Sequence, residues 1–221
     1  MAEPAIALEN ASAAYGDRTI LSGIDLTVRA GERVALMGRS GAGKSTLIGL
    51  IQARAPERVA LVPQAAALVR PLSVFHNVYM GRLDRRSTLH NLCTLVRPAR
   101  ADVVAVEAVL ARVGLSEKLW ARAGELSGGQ QQRVSVARAL YNGRPVLVGD
   151  EPVSALDRAQ GGTILAELAA GHETVIVALH DVALALAHTD RIVVLEAGRI
   201  ALDAPARSLD PGRLAPYYAA A

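Results

Sequence analysis

Three short segments carry residue types suited to phosphate, metal and water. The first, Gly38-Arg39-Ser40-Gly41-Ala42-Gly43-Lys44-Ser45-Thr46, sets glycines around one lysine and two hydroxyls. Glycine permits the unusual φ angles that turn backbone N–H groups toward an anion at close range. Lys44 is then expected to reach the β- and γ-phosphates as a compact point charge and Ser45 to ligate Mg²⁺, with a following helix adding its positive N-terminus. The second segment, Asp150-Glu151, closes the apolar run Val146-Leu147-Val148. An aspartate at the carboxyl end of a buried strand lies beside the phosphate site of an open sheet and holds Mg²⁺ through its waters. Glu151 is expected to point the other way, because strand side chains alternate, and to polarise an attacking water.

The third segment is Leu126-Ser127-Gly128-Gly129-Gln130. Ser127 suits a helix N-cap, and a capped helix start is the plain reading. That reading leaves two consecutive glycines unexplained, since each weakens a helix. An anion pressed against the helix end explains them. One phosphate does not need two cradles from one chain, so the γ-phosphate of a partner subunit is the expected occupant.

The elements needed to position these groups are legible around them. Val34 to Met37 reads as a strand buried on both faces, and Ser45 to Gln52 shows helical spacing through Leu47, Ile48 and Ile51. Strand, loop and helix form the context a phosphate loop requires. Ile6 to Leu8, Ile24 to Val28 and Val59 to Val62 read as short strands. From about Ala65 to Asn142 the period turns helical, with Gly114 as a C-cap after Val103, Val106, Val109, Leu110 and Val113. Gln130 to Tyr141 forms a further helix. Strands at Val146 to Val148, Val175 to Ala178 and Ile192 to Leu195 alternate with helices at Ile164 to Ala170 and Val182 to Ala187, a βαβ series with a mostly parallel sheet. Glu196-Ala197-Gly198-Arg199 reads as a hairpin turn. The helical block is an insertion in an α/β core, with residues 1–65 and 142–221 as core and 66–141 as helical subdomain.

Composition narrows the function classes. The chain has 221 residues, 51% hydrophobic, and a mean hydropathy of +0.25, which argues against disorder. No apolar run reaches the ~18–20 residues of a membrane helix, and the start, Met1-Ala2-Glu3-Pro4, has no secretory pattern. Any membrane contact is expected through a partner. A single cysteine, Cys93, suits the cytosol and is expected to be a small buried hydrophobe. The net charge of +3 comes with scattered arginines rather than a basic stripe, so no nucleic acid is expected. The only lysines are Lys44 and Lys118, so the glycine loop keeps a lysine in a chain that elsewhere uses arginine.

Together these motifs resemble the ATP-binding subunits of ABC transporters along nearly the whole chain. The resemblance implies a P-loop NTPase fold of class α/β, with a RecA-like parallel sheet, an antiparallel β-lobe and an inserted helical subdomain. It implies ATP and Mg²⁺, with Tyr15 stacked on adenine and Gln64 linking metal and water to the helical lobe. Ser154-Ala155-Leu156-Asp157 resembles the loop that crosses the dimer interface, and His180 the switch histidine at the γ-phosphate. A surface aromatic for Tyr15 and an ordinary strand-end histidine for His180 remain the alternatives. His76, His90, His172 and His188 are read as structural or exposed. The implied partners are a second copy in an ATP-dependent dimer, membrane permease subunits docked near Gln64 to Asn77, and indirectly a solute-binding protein. The implied location is the cytoplasmic face of the membrane.

A narrower resemblance points to the phosphonate-importer branch. It rests on Leu72-Ser73-Val74-Phe75-His76-Asn77-Val78, Met80-Gly81-Arg82-Leu83, Arg112-Val113-Gly114-Leu115, Gln130-Gln131-Gln132-Arg133, Asp150-Glu151-Pro152-Val153 and Leu179-His180-Asp181-Val182. Import of another solute, a soluble ABC ATPase outside transport and a nucleotide-binding regulator are the alternatives. One departure stands out: Lys44 and Gln64 are 20 residues apart, closer than the family places them, which implies a trimmed β-lobe.

Overall fold

A computed structural model describes residues 4–218. The chain forms two compact units, one from residues up to Leu61 together with those from Arg144 onward, the other from Val62–Gly143.

The first unit holds a six-stranded sheet in the order β4-β5-β6-β3-β7-β8. Its centre is β3 (Arg33–Met37), β5 (Val146–Asp150), β6 (Thr174–Ala178) and β7 (Arg191–Glu196), which run parallel, so that Leu36 pairs with Ala178 on one side and Val193 on the other. Val34, Ala35, Leu36 and Met37 are fully buried, as a strand covered on both faces requires. The edge strand β8 (Arg199–Pro205) returns antiparallel through the turn at Ala197 and Gly198, and β4 (Val59–Val62) closes the other edge. Helices α1 (Lys44–Arg54), α6 (Arg158–Gly171) and α7 (Val182–His188) follow β3, β5 and β6 in turn, the βαβ order that a parallel sheet demands.

The N-terminal strands are longer than their sequence suggests. β1 (Pro4–Tyr15) and β2 (Arg18–Arg29) span 12 residues each and pair antiparallel as a separate two-stranded sheet, turning at Gly16 and Asp17. Register shifts between Leu8 and Ala14, with Asn10 at φ 44 and Gly23 at φ 62, break the two-residue period that would have announced the full length.

The second unit is helical: α2 (Val74–Tyr79), α3 (Thr88–Val96), α4 (Arg100–Arg112) and α5 (Gly128–Asn142). Phe75, fully buried, lies 5.8 Å from the Tyr79 ring and 5.2 Å from Trp120. Gly114, at φ +64, turns the chain after α4. Cys93 is exposed rather than buried. The reason is that α3 packs through its polar side: His90 meets the buried Asp102 at 2.8 Å, Asn91 meets Tyr79 at 2.9 Å, and Thr94 is the buried residue. Its apolar residues Leu89, Leu92, Leu95 and Val96 face outward instead.

Candidate nucleotide site

In the first unit, the glycine loop spans the gap between the end of β3 and the start of α1. Gly38, Gly41 and Gly43 have φ of 131, 79 and 105, a run of left-handed geometry that only glycine adopts at low cost. A Cβ on Gly38 would lie 2.2 Å from Leu195 O of β7, and one on Gly43 would lie 2.7 Å from the Leu21 side chain of β2. The loop is thus pressed onto its own scaffold. α1 has no side-chain N-cap and no acid in its first turn. Its first N–H groups lack intrahelical partners, which leaves an anion site. Ser45 is exposed there, while Lys44 is buried and its Nζ donates to Gly38 O at 2.7 Å and Arg39 O at 3.1 Å. Burial lowers the Lys44 pKa, and the carboxylates of Glu151 and Asp150 act against that shift. The lysine therefore sits within the electrostatic reach of both acids.

Asp150 is the last, buried residue of β5, and its Oδ1 is buried without a hydrogen-bond partner among the described residues. An orphaned carboxylate oxygen beside a phosphate loop fits a hard cation. Among the described residues no group of three or more His, Cys, Asp and Glu gathers around a point. A Mg²⁺ site of few protein ligands, completed by phosphate oxygens and water, matches that donor set.

The conformation of Glu151 is not that of a strand residue. It lies past the strand end at φ 53, a left-handed conformation unusual for a non-glycine residue. The following loop holds it there: Ser154 donates its hydroxyl to Glu151 O at 3.1 Å and its N–H to the same oxygen at 3.2 Å. The glutamate then meets His180 across 2.5 Å, Nε2 to Oε1. His180 follows β6, and Asp181 next to it caps α7 by accepting from Ala183 N and Leu184 N at 2.8 and 3.1 Å. Asp157 caps α6 through Gln160 N at 2.9 Å, and Arg158 donates Nε to Asp181 at 2.9 Å. Glu151, Ser154, Leu156, Arg158, His180 and Asp181 line one cavity of about 330 Å³. Arg158 had no motif to announce it, since only the fold brings it to the residue after the histidine. Ala155 is exposed in the same loop. Tyr15, at the turn end of β1, is 70% exposed.

In the second unit, Ser127 caps α5. It accepts from Gln130 N at 3.3 Å, and Gln130 Oε1 accepts from Ser127 N at 3.0 Å, a reciprocal capping box. Leu126 is buried beneath it and accepts from the Gln131 side chain at 2.9 Å. Gly128 is exposed, and a Cβ there would meet nothing within 4 Å. Gln64 lies exposed just after β4. The chain beyond it is tied to α5, because Arg138 donates to Ala67 O at 2.9 Å and Ala66 O at 3.0 Å. The fully buried Asn77 fixes the same segment through Val69 N at 2.8 Å.

The chain matches the ABC transporter family over residues 21–154. It is 40% identical to the phosphonates import ATP-binding protein PhnC of Pseudomonas entomophila, over 97% of this chain and 91% of that protein. That alignment runs over 243 positions against a chain of 221, so the relative carries residues that this chain lacks. Similarity to PhnC of Anaeromyxobacter dehalogenans is 38% over 98% of this chain, which spans about half, 49%, of that protein. Among solved structures, the dimeric post-hydrolysis state of an ATP-binding cassette bound to ADP and Pi superposes with a TM-score of 0.76 at 26% identity, covering 92% of this chain and all of that one. With its sheet order, its glycine loop and these matches in agreement, the chain belongs to the ABC transporter family.

Proposed function

We propose that the whole chain is one ABC ATPase domain that binds MgATP, hydrolyses it at a head-to-tail dimer interface, and so powers import of a phosphonate or related phosphorus oxyanion. The observation that carries the ATPase reading is the meeting of four groups at the carboxyl edge of one sheet. They are the glycine loop, a buried lysine that donates to loop carbonyls, an Asp150 oxygen without a partner among the described residues, and a glutamate hydrogen-bonded to a histidine. The phosphonate reading is supported by the names of the relatives.

In this reading Lys44 leaves Gly38 O and Arg39 O for the β- and γ-phosphates, while N–H groups from Gly41 to Thr46 line the phosphate chain. Tyr15 offers its exposed ring to the base. Ser45 and Asp150 would hold Mg²⁺, and the role of Gln64 in linking metal and water would rest on its place directly after β4. When bound, the metal neutralises charge on the phosphate oxygens. Glu151 accepts a proton from water as the water oxygen bonds to the γ-phosphorus. The bond from that phosphorus to its bridging oxygen breaks, leaving ADP and phosphate. His180, held by Glu151, keeps its ring at the γ-phosphate side. The residues contribute positioning and fixed charge rather than a covalent intermediate. Leu126 to Gln130 of a second copy closes over the γ-phosphate, and Ser154 to Asp157 crosses between copies.

Among the described residues no helix is long and apolar enough to cross a membrane. The reading therefore includes permease subunits at the cytoplasmic membrane face, with a solute-binding protein beyond them. The segment from Gln64 to Asn77 would dock them, beside an apolar cleft of about 240 Å³ that Leu72, His76, Leu83, Leu92 and Leu95 help to line. Purified protein should release phosphate from ATP only with Mg²⁺, and Glu151→Gln should stop release without stopping binding. Deleting the coding gene should abolish growth on a phosphonate as sole phosphorus source while sparing growth on phosphate. Undiminished growth on phosphonates would reassign the solute.

A further inference from the structure

The phosphate loop is held at its strand end by a residue far along the chain. Gly38 donates its N–H to the phenolic oxygen of Tyr218, 3.1 Å away and 180 positions later. On the other side of the same residue, Gly38 O accepts from Lys44 Nζ at 2.7 Å. The two bonds differ in permanence. Lys44 Nζ has three donors and can turn toward a phosphate, whereas the Tyr218 bond does not involve the lysine.

The hydroxyl is carried by ordered structure rather than a loose segment. Pro211–Leu214 forms a short helix (α8) capped by Asp210, which accepts from Arg213 N at 3.0 Å, and its Leu214 is fully buried. The chain then passes through the turn Ala215–Tyr217, and Tyr218 N donates to Ala215 O at 3.0 Å. Gly38 has little freedom to compensate for loss of this bond. It is buried at φ +131, against Leu195 O on its Cβ side. A buried N–H without a partner is costly, so the loop would shift to find one.

We propose that Tyr218 is a positioning residue for nucleotide binding: its hydroxyl anchors the first peptide of the phosphate loop, so the N–H groups further along meet the phosphates already aligned. This rests on the reading of the loop as the ATP site. Burial raises the phenol pKa, against the smaller effect of the Gly38 bond, so the group stays a neutral acceptor with its own proton still available.

Tyr218→Phe removes one oxygen and keeps the ring, and Tyr218→Ala removes both. Loss of one neutral hydrogen bond from the bound geometry raises Kd and KM for MgATP by about two- to tenfold. The expected pattern for Tyr218→Phe is that rise, a smaller change in kcat than in KM, and faster hydrogen exchange at the Gly38 amide. Tyr218→Ala should show the same pattern at least as strongly. Lys44→Ala runs alongside. If Lys44→Ala abolishes MgATP binding but Tyr218→Phe binds like wild type, even with a lower melting temperature, the inference is overturned and the ATP site stands. If Lys44→Ala itself binds MgATP normally, the ATP-site reading falls and the inference falls with it.

Discussion

The glycines of the phosphate loop and the glycine that opens α5 solve opposite problems. Gly38 and Gly43 are required from within: a Cβ at either would collide with β7 or β2 of the same chain, and both stand at positive φ. Among the described residues nothing requires Gly128, which faces open space at the start of a helix whose cap is already complete. A glycine in a helix costs ~0.5–1 kcal/mol relative to alanine. In the proposed reading the first pair serves folding and binding together, while Gly128 serves an approach from outside. One unit holds a glycine loop braced against its own scaffold, and the other presents an exposed glycine at a capped helix start.

That contrast can be attacked at several strengths. The largest effect is expected at Glu151. Glu151→Gln keeps shape and hydrogen bonding but removes the base, so hydrolysis should fall by ~10²–10⁴-fold with ATP still bound. Uncleaved ATP should then hold two copies together in light scattering, in ATP but not in ADP. Adding Ser127→Arg should abolish that dimer while leaving ATP binding at Lys44 intact, and a double mutant that still dimerises would show that α5 does not meet a partner's phosphate.

A paired alanine substitution tests the comparison directly. Gly38→Ala should destabilise by about 3 kcal/mol or more, from overpacking against Leu195 and a left-handed backbone. Gly128→Ala should leave the melting temperature unchanged or raise it, in keeping with a gain of up to ~1 kcal/mol, yet weaken the ATP-driven dimer of the Glu151→Gln protein. Equal destabilisation by both would erase the distinction.

Smaller effects follow at the margins of the site. Tyr15→Ala should cost ~1–3 kcal/mol of binding for adenine and guanine nucleotides alike, because stacking tolerates either base. Loss confined to ATP would point to hydrogen-bond readout instead. The least effect is expected from acid. Burial pushes the Asp181 carboxyl up, but the Leu184 N–H, Arg158 and the Ala183 N–H outweigh it and hold its pKa below the ordinary value. A depressed folded pKa means that the contribution is present above the unfolded pKa and disappears as pH falls through the folded one. Amide exchange in α7 should therefore quicken only below the usual carboxylate range, and Asp181→Asn should remove that pH dependence. Asp181 is half-buried and its partner Arg158 is exposed, so solvent screening keeps the effect on global stability small.

Much of the catalytic edge was legible because its logic is local. Val34 to Met37 is apolar without interruption, the glycines follow at once, and Leu47, Ile48 and Ile51 keep a helical face, so strand, loop and helix announce each other within twenty residues. The β7–β8 hairpin was legible for the same reason. The full length of β1 and β2 was not, because bulges at Asn10 and Gly23 disrupt the alternation on which strand recognition depends. Cys93 misled because α3 buries a polar side, and no single-sequence rule turns a helix inside out. Strand alternation does not govern Glu151, because it lies past β5 in a left-handed conformation whose carbonyl is held by Ser154.

Residue order alone determined which chemistry the chain carries, since a lysine among glycines and an acidic pair after an apolar run depend only on neighbours in sequence. Tertiary structure decided how those groups are held. Nothing near Gly38 foretells that its N–H ends on Tyr218, or near Arg158 that it meets Asp181, because these bonds close loops of 180 and 23 residues. Contacts across such separations exist only once the sheet has brought its strand ends to one edge.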